Sequence, residues 1–155
     1  MILAAGFGKR MLPLTKNLPK PLIEVNGISL LDNAINFLKK LGCNQIIINT
    51  HFKNLQIQQK INQRKDKNII TLIHEEELLD TGGAVKNAIP YFDNSNILLI
   101  NSDVFWTDEN INDAKTLVDD YFNFNLPHLL LVEKRNAIGL DRNTGDFCLN
   151  KKIVE

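Results

Sequence analysis

Short apolar runs alternate with amphipathic stretches along most of the chain. Ile2, Leu3 and Ala4 form an apolar strand that runs straight into a glycine-rich turn. PLIEV (21–25) reads as a short strand, closed by the turn pair Asn26-Gly27. Ser29 then caps a predicted helix in which Leu30, Leu31, Ala34, Ile35, Leu38 and Leu41 recur at three- and four-residue spacing, and Gly42 ends it. QIIINT (45–50) is a continuous apolar run too short for a helix, hence a buried strand. The pattern then predicts a polar helix over 54–63 and a strand over IITLIH (69–74). A helix capped by Thr81 runs to about Ala88, ahead of Pro90, and NILLIN (96–101) follows as a fourth buried strand. A helix over 111–122 and a strand over HLLLVEK (128–134) continue the alternation. In the last twenty residues, turn signals at 143–145 and 150–151 flank short strands, and no final helix covers that face.

Buried strand runs alternating with amphipathic helices predict an α/β fold, a Rossmann-like, mostly parallel sheet with helices on both faces. At 155 residues the chain makes one domain, burying roughly 68–70% of its unfolded surface. Lys+Arg and Asp+Glu both number 18, so the formal net charge is zero. That balance argues against nucleic acid or an anionic membrane as partner and leaves any anion site to local geometry. Cys43 and Cys148 are too few for a disulfide framework and form no zinc pattern, as expected of reduced thiols. No apolar run is long enough to span a bilayer or build a signal-peptide core, so a cytoplasmic location is expected.

The candidate chemistry is concentrated in MILAAGFGKRMLPLTKNLPKP at the start. Exposed backbone N–H groups beside Lys9 and Arg10 suit a triphosphate. Gly6 and Gly8 let the backbone turn where a Cβ would obstruct a phosphate, and Arg10 can hold phosphate oxygens in bidentate fashion. Lys20 stands between Pro19, with fixed φ, and Pro21, which disfavours helical backbone at Lys20 and so predicts an extended, aimed lysine. Two familiar phosphate loops fail here. The dinucleotide fingerprint needs glycine where Met11 stands and a helix where Pro13 forbids one; a Walker loop needs Ser or Thr where Arg10 stands. An NAD-type oxidoreductase is disfavoured on the same grounds. Asp103 follows a buried strand at its carboxyl end, where open α/β sheets place ligands, although it also reads as a loop cap. Thr81-Gly82-Gly83 reads equally as a helix cap with a tight turn. His51, His74 and His128 show no spacing that makes a metal set or triad, and Trp106 reads as packing beside the Asp103 loop or as an aromatic lining for a sugar.

LAAGFGKRMLPLTKNLPKPLIEVNG resembles the signature of the sugar-1-phosphate nucleotidyltransferases, G-x-G-x-R-x-x-P-L-T followed by P-K-P, with LLDTGGAV, NSDV and GDF in agreement further on. The TGG and GDF segments look most like bacterial N-acetylmuramate α-1-phosphate uridylyltransferases and small mannose-1-phosphate guanylyltransferase-like proteins. The resemblance implies an enzyme that transfers a nucleotidyl group from an NTP, UTP favoured, to a sugar 1-phosphate with release of pyrophosphate. It implies a place in NDP-sugar biosynthesis and peptidoglycan recycling. It also implies catalytic roles for Arg10, Lys20 and Asp103, with Lys20 on the α-phosphate and Asp103 a Mg²⁺ ligand. Nucleotide contacts are implied for Leu3, Ala4, Ala5, Gly6, Gly8, Lys9, Arg10, Lys20, Glu75, Thr81, Gly82 and Gly83, and sugar contacts for Gly145 and Asp146.

Relatives continue past the GDF segment into a second metal-binding aspartate and part of the sugar pocket. The expectation is therefore a nucleotidyltransferase domain over 1–155 that is C-terminally truncated and lacks part of the sugar-binding region. Its alternatives are a nucleotide-binding fragment without turnover, and half of a split enzyme that a second polypeptide completes. Guanylyl transfer to mannose 1-phosphate is the alternative within the class.

Overall fold

The structure is a computed structural model, and it describes residues 1–136, 147, 149–150 and 153–154. In chain order the elements are β1 (Ile2–Leu3), β2 (Glu24–Val25), β3 (Ile28–Ser29), α1 (Leu30–Lys40), β4 (Ile46–Thr50), α2 (Asn54–Asn62), β5 (Ile70–His74), α3 (Thr81–Ala88), β6 (Ile100–Asn101), α4 (Asn110–Phe124), β7 (Leu149–Asn150) and β8 (Ile153–Val154). Four strands make a wholly parallel sheet in the order β5-β4-β1-β6. Two small antiparallel ladders, β2-β3 and β7-β8, stand apart from it. No helix among the described residues is long and apolar enough to cross a membrane.

The side-chain alternation of a strand assigns each residue of β4 to one face. Ile46 and Ile48 pack with Ile2 and Ile100 against Leu31, Ala34, Ile35 and Leu38 of α1, Ile57 and Ile61 of α2 and Ala114 of α4. Ile47 turns the other way and meets Ile73, Phe92 and, from α3, Ala84 and Ala88. Helices therefore cover both faces, as the alternation of runs predicts. Ser29 caps α1: its Oγ accepts from the Asp32 N–H at 3.0 Å and donates to the Asp32 carboxylate at 2.8 Å. The helix stops at Gly42, which takes a left-handed φ of 89°.

Several expected elements come out differently. The strand expected over 21–25 survives only as β2, paired with β3 across Asn26-Gly27, because Lys20–Leu22 form a 3₁₀ turn. NILLIN contributes only Ile100–Asn101 as strand, paired with Ile2–Leu3; just ahead of that ladder the Leu98 carbonyl accepts from the Met1 amine at 2.6 Å. HLLLVEK forms no strand over 128–133: among the described residues no neighbour pairs with it, and Leu129, Leu130, Leu131 and Val132 are exposed. A strand is made by its partner as much as by its own residues.

A charged cluster ties α1 to the segment after α2. Asp32 accepts from Lys60 at 2.8 Å and from Arg64, which also binds Asp66 at 2.8 Å; Lys39 reaches Asp66 at 2.6 Å. Burial pushes the Asp32 carboxyl up, but hydrogen bonds from Lys60, Ser29 and Arg64 outweigh it and hold the group below the usual range. Arg64 and Lys39 hold Asp66 lower still. Folded-state carboxyl pKa values below the unfolded ones stabilise the fold above the unfolded value, about 3.9, and that stability is lost as pH falls through the folded values. Arg64→Ala is expected to lower stability by about 1–2 kcal/mol at pH 7, between the exposed and buried limits for ion pairs. Urea denaturation at pH 7 and pH 3 should show the gap between variant and parent narrowing at the lower pH; an unchanged gap contradicts the assignment.

Candidate functional site

The carboxyl ends of β1 and β6 open into a cavity of about 290 Å³. Leu3, Ala4, Gly6, Gly8, Lys9, Arg10, Lys20 and Asp103 all line it, joined by Met11, Pro21, Asn101 and Ser102. Eight of the residues singled out in the sequence thus meet in one place, although Asp103 lies 83 positions from Lys20.

The glycine turn has a specific construction. Gly8 adopts a left-handed φ of 65° and begins the 3₁₀ turn Lys9–Met11, with the Met11 N–H donating to the Gly8 carbonyl at 2.9 Å. The buried Thr15 hydroxyl donates to the same carbonyl at 2.9 Å. A Cβ on Gly8 would stand 2.8 Å from Thr15 Cγ2 and 3.0 Å from Lys20 Cβ, so the turn rests directly on the Lys20 backbone segment. Gly6 is the opposite case: a Cβ there would meet nothing within 4 Å. Ala5, expected among the contacts, is buried and does not line the cavity.

Lys20 is aimed, but not by an extended backbone. Pro19 is the extended residue, with ψ of 143°, and the chain turns at Lys20 itself: Leu22 N–H donates to Pro19 O at 2.9 Å and Ile23 N–H to Lys20 O at 3.1 Å. Both prolines are fully buried, and these hydrogen bonds outweigh the steric bias that Pro21 places on its neighbour. From this anchored turn the Lys20 ammonium donates to Asp103 Oδ2 at 2.5 Å, with side chains 22% and 36% exposed.

Asp103 is held from two sides. Ser102 N–H donates to Leu3 O at 3.1 Å, extending the β1-β6 ladder to the cavity rim. Beyond it, Asn33 of α1 grips the loop: its Nδ2 donates to Trp106 O at 2.9 Å and its Oδ1 accepts from Trp106 N–H at 2.7 Å. The Trp106 ring stacks on Phe37 with centroids 4.4 Å apart, the packing role expected of it.

The remaining expected contacts lie elsewhere. Glu75 does not reach the cavity; it is 2% exposed, and both its carboxylate oxygens are occupied, by Asn49 Nδ2 at 2.8 Å and by the Leu79 N–H at 3.2 Å. The contact was implied by the resemblance alone; the donors to its carboxylate lie on β4 and in its own following loop. Thr81 is the first residue of α3 and not its cap. Asp80 caps the helix, accepting from the Gly83 N–H at 2.6 Å, because its carboxylate sits one residue nearer the extended segment. Thr81 and Gly82 are exposed and, like Gly83, stand outside the cavity lining. A Cβ on Gly83 would lie 3.2 Å from Asp80 Oδ1. Gly145 and Asp146 lie outside the described residues. Among the described residues no three His, Cys, Asp or Glu side chains gather as a metal cluster, and Asp103 is the one carboxylate of the described cavity lining. The residues missed from sequence are Asn33 and Asn49, where the available signal was an amide inside an otherwise apolar helix face or strand; Thr15 stands in the P-L-T of the signature, which assigned it no role.

Residues 1–125 match the family model described as "Nucleotidyl transferase". The chain is 32% identical over 110 residues to the N-acetylmuramate alpha-1-phosphate uridylyltransferase of Caulobacter vibrioides, covering 68% of this chain and 46% of the relative. It is also 32% identical over 106 residues to the D-glycero-alpha-D-manno-heptose 1-phosphate guanylyltransferase of Aneurinibacillus thermoaerophilus, with the same two coverages of 68% and 46%. Among solved structures, HddC from Yersinia pseudotuberculosis superposes with a TM-score of 0.64 at 28% identity, over 79% of this chain and 53% of that one. The chain spans about half the length of the curated relatives it matches.

Gly8→Ala is expected to destabilise the fold by about 1–3 kcal/mol through its left-handed φ and the contact with Thr15. Denaturant midpoints measure this, and a variant as stable as the parent contradicts the geometry of the turn.

Proposed function

From the premise that the chain belongs to the nucleotidyl transferase family, we propose that this cavity binds an NTP, with UTP favoured, and transfers its nucleotidyl group to a sugar 1-phosphate in the cytoplasm. The observation that carries the reading is the meeting of Lys20 and Asp103 beside the Gly8 turn, at the carboxyl ends of adjacent parallel strands. An oxygen of the sugar phosphate attacks the α-phosphorus in line, forming one P–O bond as the bond to pyrophosphate breaks. No side-chain nucleophile is needed; positioning and charge stabilisation suffice. In this reading Arg10 and the amides of Gly6 to Lys9 hold the β- and γ-phosphates. Lys20 holds the α-phosphate, where charge accumulates. Leu3 and Ala4 lie under the nucleoside, Thr81, Gly82 and Gly83 approach the base, and Gly145 and Asp146 contact the sugar.

Asp103 offers a hard oxygen donor whose Oδ1 is not engaged by Lys20. A lone carboxylate fits a Mg²⁺ ion that takes its other ligands from triphosphate oxygens and water. Bound there, Mg²⁺ would neutralise triphosphate charge. The Caulobacter relative supports uridine and N-acetylmuramate 1-phosphate as first substrates; the heptose 1-phosphate guanylyltransferase, equally similar, supports guanosine as the alternative. A second reading, nucleotide binding with turnover only when another polypeptide completes the site, is favoured by Asp103 being the one carboxylate in the cavity lining among the described residues.

Pyrophosphate release from UTP or GTP with N-acetylmuramate 1-phosphate and Mg²⁺ tests the transfer, and calorimetry of the same nucleotides tests binding alone. Binding without turnover supports the second reading; neither binding nor turnover overturns both. Where turnover is seen, Lys20→Ala is expected to lower kcat by about 10²–10³-fold, the effect of losing one well-placed donor. Unchanged kcat removes Lys20 from the α-phosphate.

A further inference from the structure

We propose that Asn49 and Glu75 are positioning residues, a buried polar brace that fixes the phosphate-binding turn relative to the segment leading into α3. The inference rests on the nucleotide reading above. It starts from four linked groups. Ala4 N–H donates to Asn49 Oδ1 at 3.0 Å, Asn49 Nδ2 donates to Glu75 Oε1 at 2.8 Å, and Leu79 N–H donates to Glu75 Oε2 at 3.2 Å. Ala4, Asn49 and Glu75 are 3%, 3% and 2% exposed. Glu75 is itself fixed through its backbone, its N–H donating to Thr50 O at 2.8 Å and its carbonyl accepting from His51 Nδ1 at 2.8 Å.

The direction of this chain is set at its ends. Both termini are main-chain N–H groups, which only donate. Asn49 must turn its oxygen to Ala4, which leaves its NH₂ facing position 75. The side chain there receives two donors and has none of its own to place, and a carboxylate is the group with that inventory. The bonds at Ala4 and Asn49 are buried and that at Leu79 part-buried, so a buried bond left unmade carries the desolvation penalty of its donor. Ala4 lines the cavity, and Leu79 immediately precedes the Asp80 cap of α3. One bonded path thus joins the strand end that leads into the glycine turn to the helix assigned to the base.

Glu75→Gln keeps the shape but sets an NH₂ against either Asn49 Nδ2 or the Leu79 N–H. Asn49→Asp sets two carboxylates against each other. The double variant Asn49→Asp with Glu75→Gln reverses only the middle bond: the carboxylate at 49 accepts from Ala4 N–H and from the new amide, whose oxygen accepts from Leu79 N–H. Affinity for Mg²⁺-UTP and Mg²⁺-GTP by calorimetry is expected to fall about tenfold in Glu75→Gln, the loss expected from one unpaired buried donor. It is expected to return to within about threefold of the parent in the double variant. Amide exchange of Ala4 and Leu79, read by NMR without ligand, should quicken in the single variant and slow again in the double. A folded Glu75→Gln protein with parental affinity overturns the positioning role. A double variant that recovers neither affinity nor protection, or that fails to fold like the single, overturns the polarity argument. If the parent binds neither nucleotide the functional reading fails by itself, and the exchange pattern alone decides the brace.

Discussion

At the carboxyl end of β1 the main chain leaves the sheet, and the bonds made there determine the rest of the site. The strand is two residues long and paired on both sides, so each edge must find a partner immediately beyond it. On one side the Leu3 carbonyl accepts from Ser102, which places Asp103 at the rim. On the other the Ala4 N–H passes to the Asn49 side chain, since no further backbone partner continues the ladder. The glycine turn springs from between these two bonds. A sheet that continued one residue longer would bury the groups that now face the cavity.

The Lys20–Asp103 pair is better understood as placement than as stabilisation. Side chains 22% and 36% exposed gain little from an ion pair in water. The supports of each partner are more substantial: two buried prolines and a 3₁₀ turn under Lys20, and the β1-β6 ladder with the Asn33 grip around Asp103. Opposite charges held this way balance each other at the cavity rim. In the proposed reaction both exchange that partner for ligand groups, phosphate oxygen for Lys20 and a divalent ion for Asp103, with little rearrangement of backbone.

Much of this was legible in the residues, for identifiable reasons. The Ser29 cap and the periodicity of α1 are local, and the run Ile46–Thr50 is buried over its whole length, so no partner was needed to recognise either. The glycine turn and its cavity were legible because glycine, two cations and the proline-flanked lysine are rare in combination. What failed depended on something distant or on a single residue. β6 is strand only where it pairs with Ile2–Leu3, and HLLLVEK has no strand beside it among the described residues. The choice between Asp80 and Thr81 as cap turns on one backbone position. The bond between Asn49 and Glu75 joins residues 26 positions apart, a pairing that no local pattern contains.

The aliphatic side chains of 129–132 have a consequence for the protein as a solute. Leu129, Leu130, Leu131 and Val132 are 42–65% exposed, in a segment that lacks ladder bonds among the described residues. Molecules bearing such a strip are kept apart chiefly by mutual charge repulsion, and a formal net charge of zero removes it at neutral pH. Colloidal attraction is therefore strongest close to neutrality, and buffers a unit or two to either side restore the repulsion that keeps concentrated solutions clear.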